Sequence, residues 1–397
     1  MEYLLDGVSV DSVELKCLLV SRGLRTAQEV YRKFGGEYRI HPNALRCSAI
    51  ALPDGTVAAA SDLGFHPSLR PREGLRPPKR APGARTDFAL ALSGGAPVLT
   101  YKGREVCEAH LLPGAEFYGQ KCASGLPFLG SAALEGREWL SLLGLWPCEY
   151  ATEGRSCGFC EYGAQLESMA RHGRLLPELP EPEDTAEIIN WAVEHAGVTS
   201  VQLAGGATFE GEREACYIGA QLKAVTERAG RAKLTGEVLL HITPPEDPAL
   251  IDRCFEQGAD RVACSLDVWD DALAAELTPG KREFAAKERY LAALGHIAER
   301  FGPGRACSNF TLGLEPLESL AEGARYLAER GIVPTLSVQL PLGKPVYGAS
   351  GPPGIEYFRR AKELFAELYV KYGLCPPGGS GLNASVGSDI RRWADGR

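Results

Sequence analysis

Three cysteines in one short stretch carry the clearest chemical signal of the sequence. Cys148, Cys157 and Cys160 stand at the spacing C-x8-C-x2-C, just after an apolar run that ends at Trp146. Thiolates are soft anionic ligands that suit iron–sulfur clusters and zinc. The close pair can hold a centre from a tight turn, which Gly158 eases, and the longer arm brings the third ligand from the far side. The stretch therefore predicts a metal-binding loop.

The number of cysteines favours one kind of centre. A [4Fe–4S] cluster held by three thiolates keeps one iron open to another ligand. With the aromatic Phe159 directly before the last cysteine, the pattern resembles the radical S-adenosylmethionine (radical SAM) superfamily, from whose usual x3 first spacing it departs. The resemblance implies that SAM binds the open iron through its amino and carboxylate groups. It also implies that an electron from the cluster cleaves SAM, usually to a 5′-deoxyadenosyl radical.

The motif alone leaves two other interpretations open. His172 follows Cys160 at a distance of twelve residues and could complete a structural Cys3His zinc site. The three cysteines could also be small buried side chains without any ligand. These alternatives concern the motif only, and the pattern of the rest of the chain bears on the choice.

The composition indicates a large folded protein and limits its partners. The chain has 397 residues, 45% of them apolar, and a formal net charge of −8, which makes nucleic acid an unlikely partner. We find no apolar run near the roughly 20 residues that a membrane-spanning helix needs. The first residues are mixed and charged, unlike a signal peptide. Twelve cysteines without a secretory signal predict reduced thiols and a cytoplasmic protein.

The order of elements predicts three regions. Residues 1–135 are expected to form an N-terminal α/β cap, mainly helical over 1–47, with a surface linker rich in proline and arginine at 66–85. Residues 136–345 are expected to form the catalytic barrel. Residues 346–397 read as one helix and a glycine-rich tail that is too polar to add to the core.

Strand-like and helical segments alternate six times from residue 139 onward. The short apolar or β-branched runs that predict strands are 139–146, 199–204, 233–242, 260–266, 306–314 and 332–340. Such alternation indicates parallel strands with crossover helices. The predicted fold class is α/β, a partial (β/α)6 TIM-like barrel with an N-terminal α+β appendage. The radical SAM resemblance implies the same core, in which chemistry takes place at the carboxyl ends of the strands.

The resemblance also assigns residues at those strand ends to SAM. The expected contacts are Gly205, Gly206, Thr208, Ser265, Asp267, Asn309, Gly313, Glu315, Gln339 and Leu340. The glycine pair would let the backbone approach the amino group of SAM, although Ala207 stands where the family has an acidic residue. Ser265 and Asp267 would bind ribose hydroxyls. Alternative roles are a plain turn for the glycines and a helix cap for Asp267.

Two further residues are candidates for the catalytic step. His241 ends the third predicted strand and could bind SAM or substrate, or could be a core histidine. Cys375 could act as a hydrogen donor or methyl carrier, as single cysteines do in some radical enzymes, or could be a plain loop residue.

The expected function is therefore that of a radical SAM enzyme. It would start hydrogen abstraction on a small-molecule or peptide substrate, supplied with electrons by a flavodoxin- or ferredoxin-type donor. The alternatives are a radical SAM methyltransferase, an RNA- or peptide-modifying enzyme, and a structural zinc-binding (β/α) protein. The sequence leaves the reaction class open between transferase, lyase and isomerase.

Overall fold

The computed structural model describes residues 1–40, 47–63, 85–145, 147–160, 179–341 and 352–396. Nearly all of the linker predicted at 66–85 lies outside the described residues, as does His172, the proposed fourth ligand of a zinc site. Among the described residues, no helix has the length and apolar character needed to cross a membrane.

The N-terminal region consists of short strands around one buried helix. Its strands are β1 Glu2–Leu5, β2 Val8–Asp11, β3 Arg25–Thr26, β4 Cys47–Ala51, β5 Val57–Ser61, β6 Phe88–Ser93, β7 Ala96–Tyr101, β8 Arg104–Glu108 and β9 His110–Leu111. Its helices are α1 Ser12–Arg22 and α2 Gln28–Phe34. The expectation of a mainly helical start was therefore wrong in part, because two hairpin strands precede α1. Asp11 starts α1 with a capping box, in which its carboxylate accepts from the Glu14 amide at 2.9 Å.

A curled seven-stranded sheet forms the second and larger part. Its strands are β10 Ala132–Glu135, β11 Trp139–Leu143, β12 Ser200–Ala204, β13 Val238–His241, β14 Arg261–Ala263, β15 Ala306–Leu312 and β16 Val333–Val338. They neighbour one another in chain order. All pairs from β11 to β16 are parallel, which confirms the six predicted strands, and β10 adds an antiparallel edge. The result is a mixed α/β half-barrel.

Helices follow the strands as crossover connections. They are α3 Glu149–Thr152, α4 Pro182–Ala196, α5 Gly211–Lys223, α6 Ala249–Glu256, α7 Asp271–Leu277, α8 Pro279–Phe284, α9 Lys287–Phe301, α10 Leu317–Ala328, α11 Ile355–Lys371 and α12 Gly387–Asp395. Nearly every residue of the apolar strand β13 is buried, as expected where helices cover a parallel sheet.

The C-terminal tail closes the open edge of the half-barrel. We call residues 380–386 the strap. The Val338 amide donates to Ala384 O at 3.1 Å, so the strap runs beside β16. The Asn383 side chain accepts from the Gly136 amide at 3.1 Å and donates to Leu134 O at 3.2 Å, which ties the strap to β10. The strap therefore joins the two outer strands of the sheet.

The expectation that the tail is too polar for the core was wrong. Leu382, Val386 and Ile390 are buried in the main hydrophobic cluster. The Lys16 ammonium of α1, which is fully buried, forms an ion pair with Asp389 of α12 at 2.6 Å. A polar segment can enter a core when a partner distant in the sequence satisfies its charges.

Candidate active site

The cysteine loop leaves β11 and lies against the continuation of β12. The Gly206 amide donates to Leu145 O at 2.7 Å, and the Glu149 amide donates to Ala207 O at 2.8 Å. These bonds extend the pairing of two parallel strands beyond their ends. The first cysteine, Cys148, is therefore held at the carboxyl edge of the sheet, where a parallel β/α fold places its chemistry.

The two glycines expected to approach SAM have a packing role against this loop. A Cβ atom on Gly205 would lie 2.5 Å from Leu145 O. A Cβ atom on Gly206 would lie 2.6 Å from Cys148 Cα and 2.8 Å from its backbone nitrogen. Only glycine permits this approach, so the pair forms a cradle for the cysteine loop. A contact with SAM remains a proposal.

A second contact fixes the close pair of cysteines. The Cys160 amide donates to Cys157 O at 3.0 Å, which closes the turn, and the Gly158 amide donates to Leu277 O of α7 at 2.7 Å. The aromatic ring of Phe159 packs against a small apolar cluster, which comprises Val268, Ala274 and Leu314. The aromatic residue before the last cysteine thus anchors the turn to the region after β14.

The three thiols share one electrostatic environment. Burial raises the pKa of the Cys157 thiol, and the charges of Cys160, Asp267 and Cys148 act in the same direction. The ammonium of Lys281 opposes them. Cys148 and Cys160 are therefore both close to Cys157, as ligands of one centre must be. Buried thiols of this kind ionise when a metal binds them.

The three thiols do not form a compact set of ligands for a single ion. Within the described ranges, one set of three ligand side chains has all its donor atoms within 4.8 Å of one another, and it is Cys122, Asp184 and Glu187. At least two of the sulfurs of Cys148, Cys157 and Cys160 are therefore more than 4.8 Å apart. Zinc–sulfur bonds of about 2.3 Å would bring them closer together.

A cavity of about 430 Å³ fills the barrel beneath the cysteine loop. The predicted site residues that line it are Gly205, Gly206, His241, Ser265, Asp267 and Asn309. The predicted residues that are not among those lining it are Thr208, Gly313, Glu315, Gln339, Leu340, Cys375 and the three cysteines of the loop, Cys148, Cys157 and Cys160. Residues two apart on a strand point to the same face of the sheet. Side chains from neighbouring strands therefore meet in this cavity, as the sequence pattern predicts.

Asp267 is the centre of a polar network in this cavity. Its backbone has φ of +64°, a left-handed conformation that is uncommon outside glycine. Its carboxylate accepts from Asn309 Nδ2 at 3.1 Å and forms an ion pair with Lys281. Lys281 Nζ also donates to Ser265 O at 2.8 Å. The cap of α7 is Asp270 rather than Asp267, since its side chain accepts from the Leu273 amide.

The charge of Lys281 is stabilised by its neighbours. Burial alone would lower the pKa of this ammonium, but Asp267 and Cys157 raise it above the ordinary range. Lys281 is therefore a fixed positive charge between the cavity and the cysteine loop. Sequence reasoning missed it because it lies in α8, a short helix that the apolar pattern did not indicate.

Two carboxylates near the strand ends have their oxygens engaged by the protein. Glu315 accepts from the Trp269 amide at 3.0 Å and from Ser319 Oγ at 2.6 Å, so it holds the segment after β14. Glu214, on α5, accepts from the Thr243 amide at 2.8 Å and from the Thr208 amide at 3.2 Å. Burial raises the pKa of Glu214, and these hydrogen bonds oppose the rise. Glu214 lines the cavity and was not among the predicted residues.

Two polar atoms of the cavity wall have no hydrogen-bond partner among the described residues. They are His241 Nε2 and the hydroxyl of Tyr290. Burial lowers the pKa of His241 to about 4, against the opposing effect of Asp267, so the ring is neutral near pH 7. Buried polar groups are normally satisfied. These two atoms therefore point to a ligand in the cavity.

Cys375 lies away from this cavity. Its thiol is exposed, and its carbonyl accepts from Arg261 Nη1 at 2.6 Å. Arg261 is the first residue of β14, at the opposite end from the cysteine loop. The free thiol that does line the cavity is Cys307 of β15, which alternation along that strand could have indicated.

The sequence and the structure were compared with known proteins. No family model matches the sequence. The bacteriochlorophyllide c C-7(1)-hydroxylase of Chlorobaculum limnaeum is 25% identical over 284 residues, which are 67% of this chain and 69% of that protein. Methylornithine synthase is 18% identical over 60% of this chain and 65% of that chain, with a TM-score of 0.44.

Two other solved structures are more distant in shape. A radical SAM methyltransferase from Sphaerobacter thermophilus is 16% identical over 73% of this chain and 76% of that chain, with a TM-score of 0.38. Coproporphyrinogen III oxidase from Escherichia coli, a radical SAM enzyme, is 14% identical over 48% of this chain, with a TM-score of 0.32. The matched part spans only 46% of that last protein.

Proposed function

We propose that this chain is a radical SAM enzyme, which cleaves SAM reductively and directs the resulting radical at a substrate in the barrel cavity. The observation that carries the proposal is the position of Cys148, Cys157 and Cys160. Cys148 packs on the glycine cradle at the carboxyl edge of the parallel sheet. Cys157 is close to Asp267 and Lys281, which line a cavity with unsatisfied polar atoms. A structural zinc site would not need a ligand cavity beside its cysteines.

The residues present fit a [4Fe–4S] cluster and SAM. The three thiols supply three ligands, which leaves a fourth iron without a protein thiolate. The cradle of Gly205 and Gly206 brings backbone groups next to that loop without side chains in the way. When bound, the cluster would supply the electron that cleaves the sulfonium of SAM.

The surrounding side chains would position the ligands and exclude water. Asp267 is held by Asn309 and Lys281, so its remaining lone pairs have a fixed direction for hydroxyl groups of a nucleoside. His241 is neutral and offers Nε2 to the cavity. The strap forms part of the far wall, through Leu382, Ala384 and Ser385. A closed barrel of this kind protects a radical from solvent.

The lining of the cavity bears on the substrate class. It carries neutral hydrogen-bonding side chains on three strands, namely Gln202, Asn309, Thr335 and Ser337. We therefore favour a polar small molecule or a peptide side chain as substrate, and hydrogen abstraction as the first step. Methyl transfer is the less favoured alternative. A flavodoxin- or ferredoxin-type protein in the cytoplasm would supply the electron.

The organisation into regions is also part of the proposal. Residues 136–345 would carry the chemistry, with residues 1–135 as a cap and residues 346–397 as the closing segment. The fully buried pair of Lys16 and Asp389 links the first region to the last. Both outer regions would therefore be needed for a closed barrel.

Anaerobic incubation of the reconstituted protein with SAM and dithionite tests the function. We expect release of 5′-deoxyadenosine by the parent protein and none by Cys157→Ala. Cys216→Ala is the matched control, because Cys216 is exposed on α5, and it should release as much as the parent. Equal release by Cys157→Ala would contradict the assignment of the cluster ligands.

A further inference from the structure

Tyr290 presents an isolated hydroxyl to the cavity. It lies on α9, its side chain is 2% exposed, and its hydroxyl has no hydrogen-bond partner among the described residues. An unsatisfied buried polar group costs about 1–3 kcal/mol. Phenylalanine would fill the same space without that cost, so the hydroxyl calls for a chemical explanation.

The neighbours of Tyr290 do not offer it a base. The charged or ionisable groups that act on it include Lys281, Cys264, Asp267, Cys157 and Tyr150. Asp267 is the carboxylate among them, and it already accepts from Lys281 and Asn309. Burial raises the pKa of Tyr290 above its ordinary range, so the O–H bond stays intact at neutral pH. The phenol therefore keeps the hydrogen that a radical could remove as an atom.

Few side chains of the cavity wall could give up a hydrogen atom from an exchangeable position. A phenol and a thiol can, because their X–H bonds are weaker than an alkyl C–H bond, whereas aliphatic hydroxyl and amide bonds are stronger. Among the described lining residues, Tyr290 carries the phenol and Cys307 carries a thiol that is not in a disulfide. The choice therefore lies between these two.

The position of each donor favours Tyr290. Arg261 donates a hydrogen bond to the Cys307 thiol and is itself anchored to Glu237 at 2.7 Å. That contact lies at the amino end of β14. The charges of Cys157 and Lys281 instead act on Tyr290, so Tyr290 lies at the end of the barrel where the cysteines stand. A radical formed beside the cysteines would be closer to Tyr290.

We propose that Tyr290 donates a hydrogen atom to a carbon-centred radical in the cavity. The O–H bond of Tyr290 breaks and a C–H bond forms, so the carbon is reduced and Tyr290 is oxidised to a neutral phenoxyl radical. One electron from the flavodoxin- or ferredoxin-type donor and one proton from solvent restore the phenol. This inference rests on the proposed function, because SAM cleavage must supply the first radical.

SAM alone, without a substrate, is sufficient to test hydrogen-atom donation by Tyr290. The reconstituted full-length protein is exchanged into D2O and reduced with dithionite in the presence of SAM, without any substrate. The 5′-deoxyadenosyl radical then takes a hydrogen atom from the nearest donor. We expect 5′-deoxyadenosine that carries one deuterium by mass spectrometry, and a phenoxyl radical signal by electron paramagnetic resonance in samples frozen during the reaction. Tyr290→Phe should lose both signals.

Two variants control the assignment. Tyr357→Phe removes a tyrosine hydroxyl that already accepts from the Gly313 amide at 3.1 Å, and it should keep both signals. Cys307→Ala removes the competing donor and should also keep them. The melting temperature of Tyr290→Phe should not fall, because the missing hydroxyl makes no hydrogen bond, so that loss of label would not reflect unfolding.

The outcomes separate this inference from the function on which it rests. A parent protein that releases no 5′-deoxyadenosine contradicts both. Release of unlabelled 5′-deoxyadenosine by the parent, or an unchanged label in Tyr290→Phe, overturns the role of Tyr290 while SAM cleavage stands. Loss of the label in Cys307→Ala alone would assign the role to the thiol.

Discussion

The strap and the cysteine side of the barrel differ in how their most buried polar groups are paired. At the strap, the Lys16 ammonium is fully buried and donates to three acceptors, which are Leu382 O, Ser385 O and the Asp389 carboxylate. On the cysteine side, His241 Nε2 and the Tyr290 hydroxyl are buried without a partner among the described residues. The strap pairs its buried charge, although Ser380 Oγ has no partner among the described residues, whereas the cysteine side leaves two polar atoms of the cavity wall unpaired.

The two regions use buried polar groups for different purposes, one for stability and the other for binding a ligand. A charge that closes a barrel must be paired inside the protein, since an unpaired buried charge is very costly. A site that binds ligands keeps some groups unsatisfied until the ligand arrives, and the rest of the fold carries that cost. We therefore expect variants of the strap to lose stability and variants near the cysteines to lose ligands.

The largest effect is expected at the glycine cradle. Gly206→Ala would place a Cβ atom 2.6 Å from Cys148 Cα, so the cysteine loop must move away from β12. We expect loss of bound iron and of SAM cleavage, measured after anaerobic reconstitution. Gly295→Ala is the matched control, because a Cβ atom there meets nothing within 4 Å. In that helix interior, alanine is favoured by up to about 1 kcal/mol.

An intact iron content in Gly206→Ala would show that the cradle does not position the ligands. The packing of the cysteine loop on Gly205 and Gly206 would then have no part in cluster binding.

The next largest effect is expected at the strap. Lys16→Met leaves the buried Asp389 carboxylate without its main partner and two carbonyls without a donor, although Arg392 also contacts Asp389. Removing one member of a buried ion pair costs about 3–5 kcal/mol, which urea unfolding would measure. Lys102→Met is the control, because that ion pair with Asp6 is exposed and such pairs contribute less than about 1 kcal/mol. Equal losses in both variants would contradict a structural role for the strap.

The smallest effect concerns the pH dependence of stability. Burial lowers the pKa of His241 to about 4 in the folded protein from an ordinary value of 6.5. The unfolded chain therefore binds a proton at this residue first, and stability falls as pH drops from about 6.5 towards 4. Because the ring keeps some contact with the cavity, we expect a loss on the order of 1 kcal/mol between pH 7 and 5.

His241→Gln should remove this part of the pH dependence, which paired urea titrations at pH 7 and pH 5 would show. If parent and variant lose the same stability between the two pH values, His241 is not held neutral by burial.

Much of the barrel could be predicted from local patterns. The six parallel strands and the cysteine loop follow from short apolar runs, turn residues and ligand spacing, all of which act over a few residues. The pairs on one strand face, such as Ser265 with Asp267, follow from alternation. Both residues line the cavity as expected.

What could not be predicted depends on contacts between distant parts of the chain. The tail was predicted to be too polar for the core because its buried partner, Lys16, lies more than 360 residues away. Lys281 and Tyr290 lie on helices, where the direction of a side chain depends on how the helix packs against the sheet. β10 is an exception, because it pairs locally with β11, with Glu135 opposite Trp139, and was still placed within residues 1–135.

The central claim is that three thiolates hold a cluster with one open iron. Its most direct test is electron paramagnetic resonance of the reduced, reconstituted protein with and without SAM, together with metal and sulfide analysis. We expect about four iron and four sulfide per chain, and a [4Fe–4S]+ spectrum that changes when SAM is added. Zinc without sulfide, or a cluster spectrum that SAM leaves unchanged, would contradict the account.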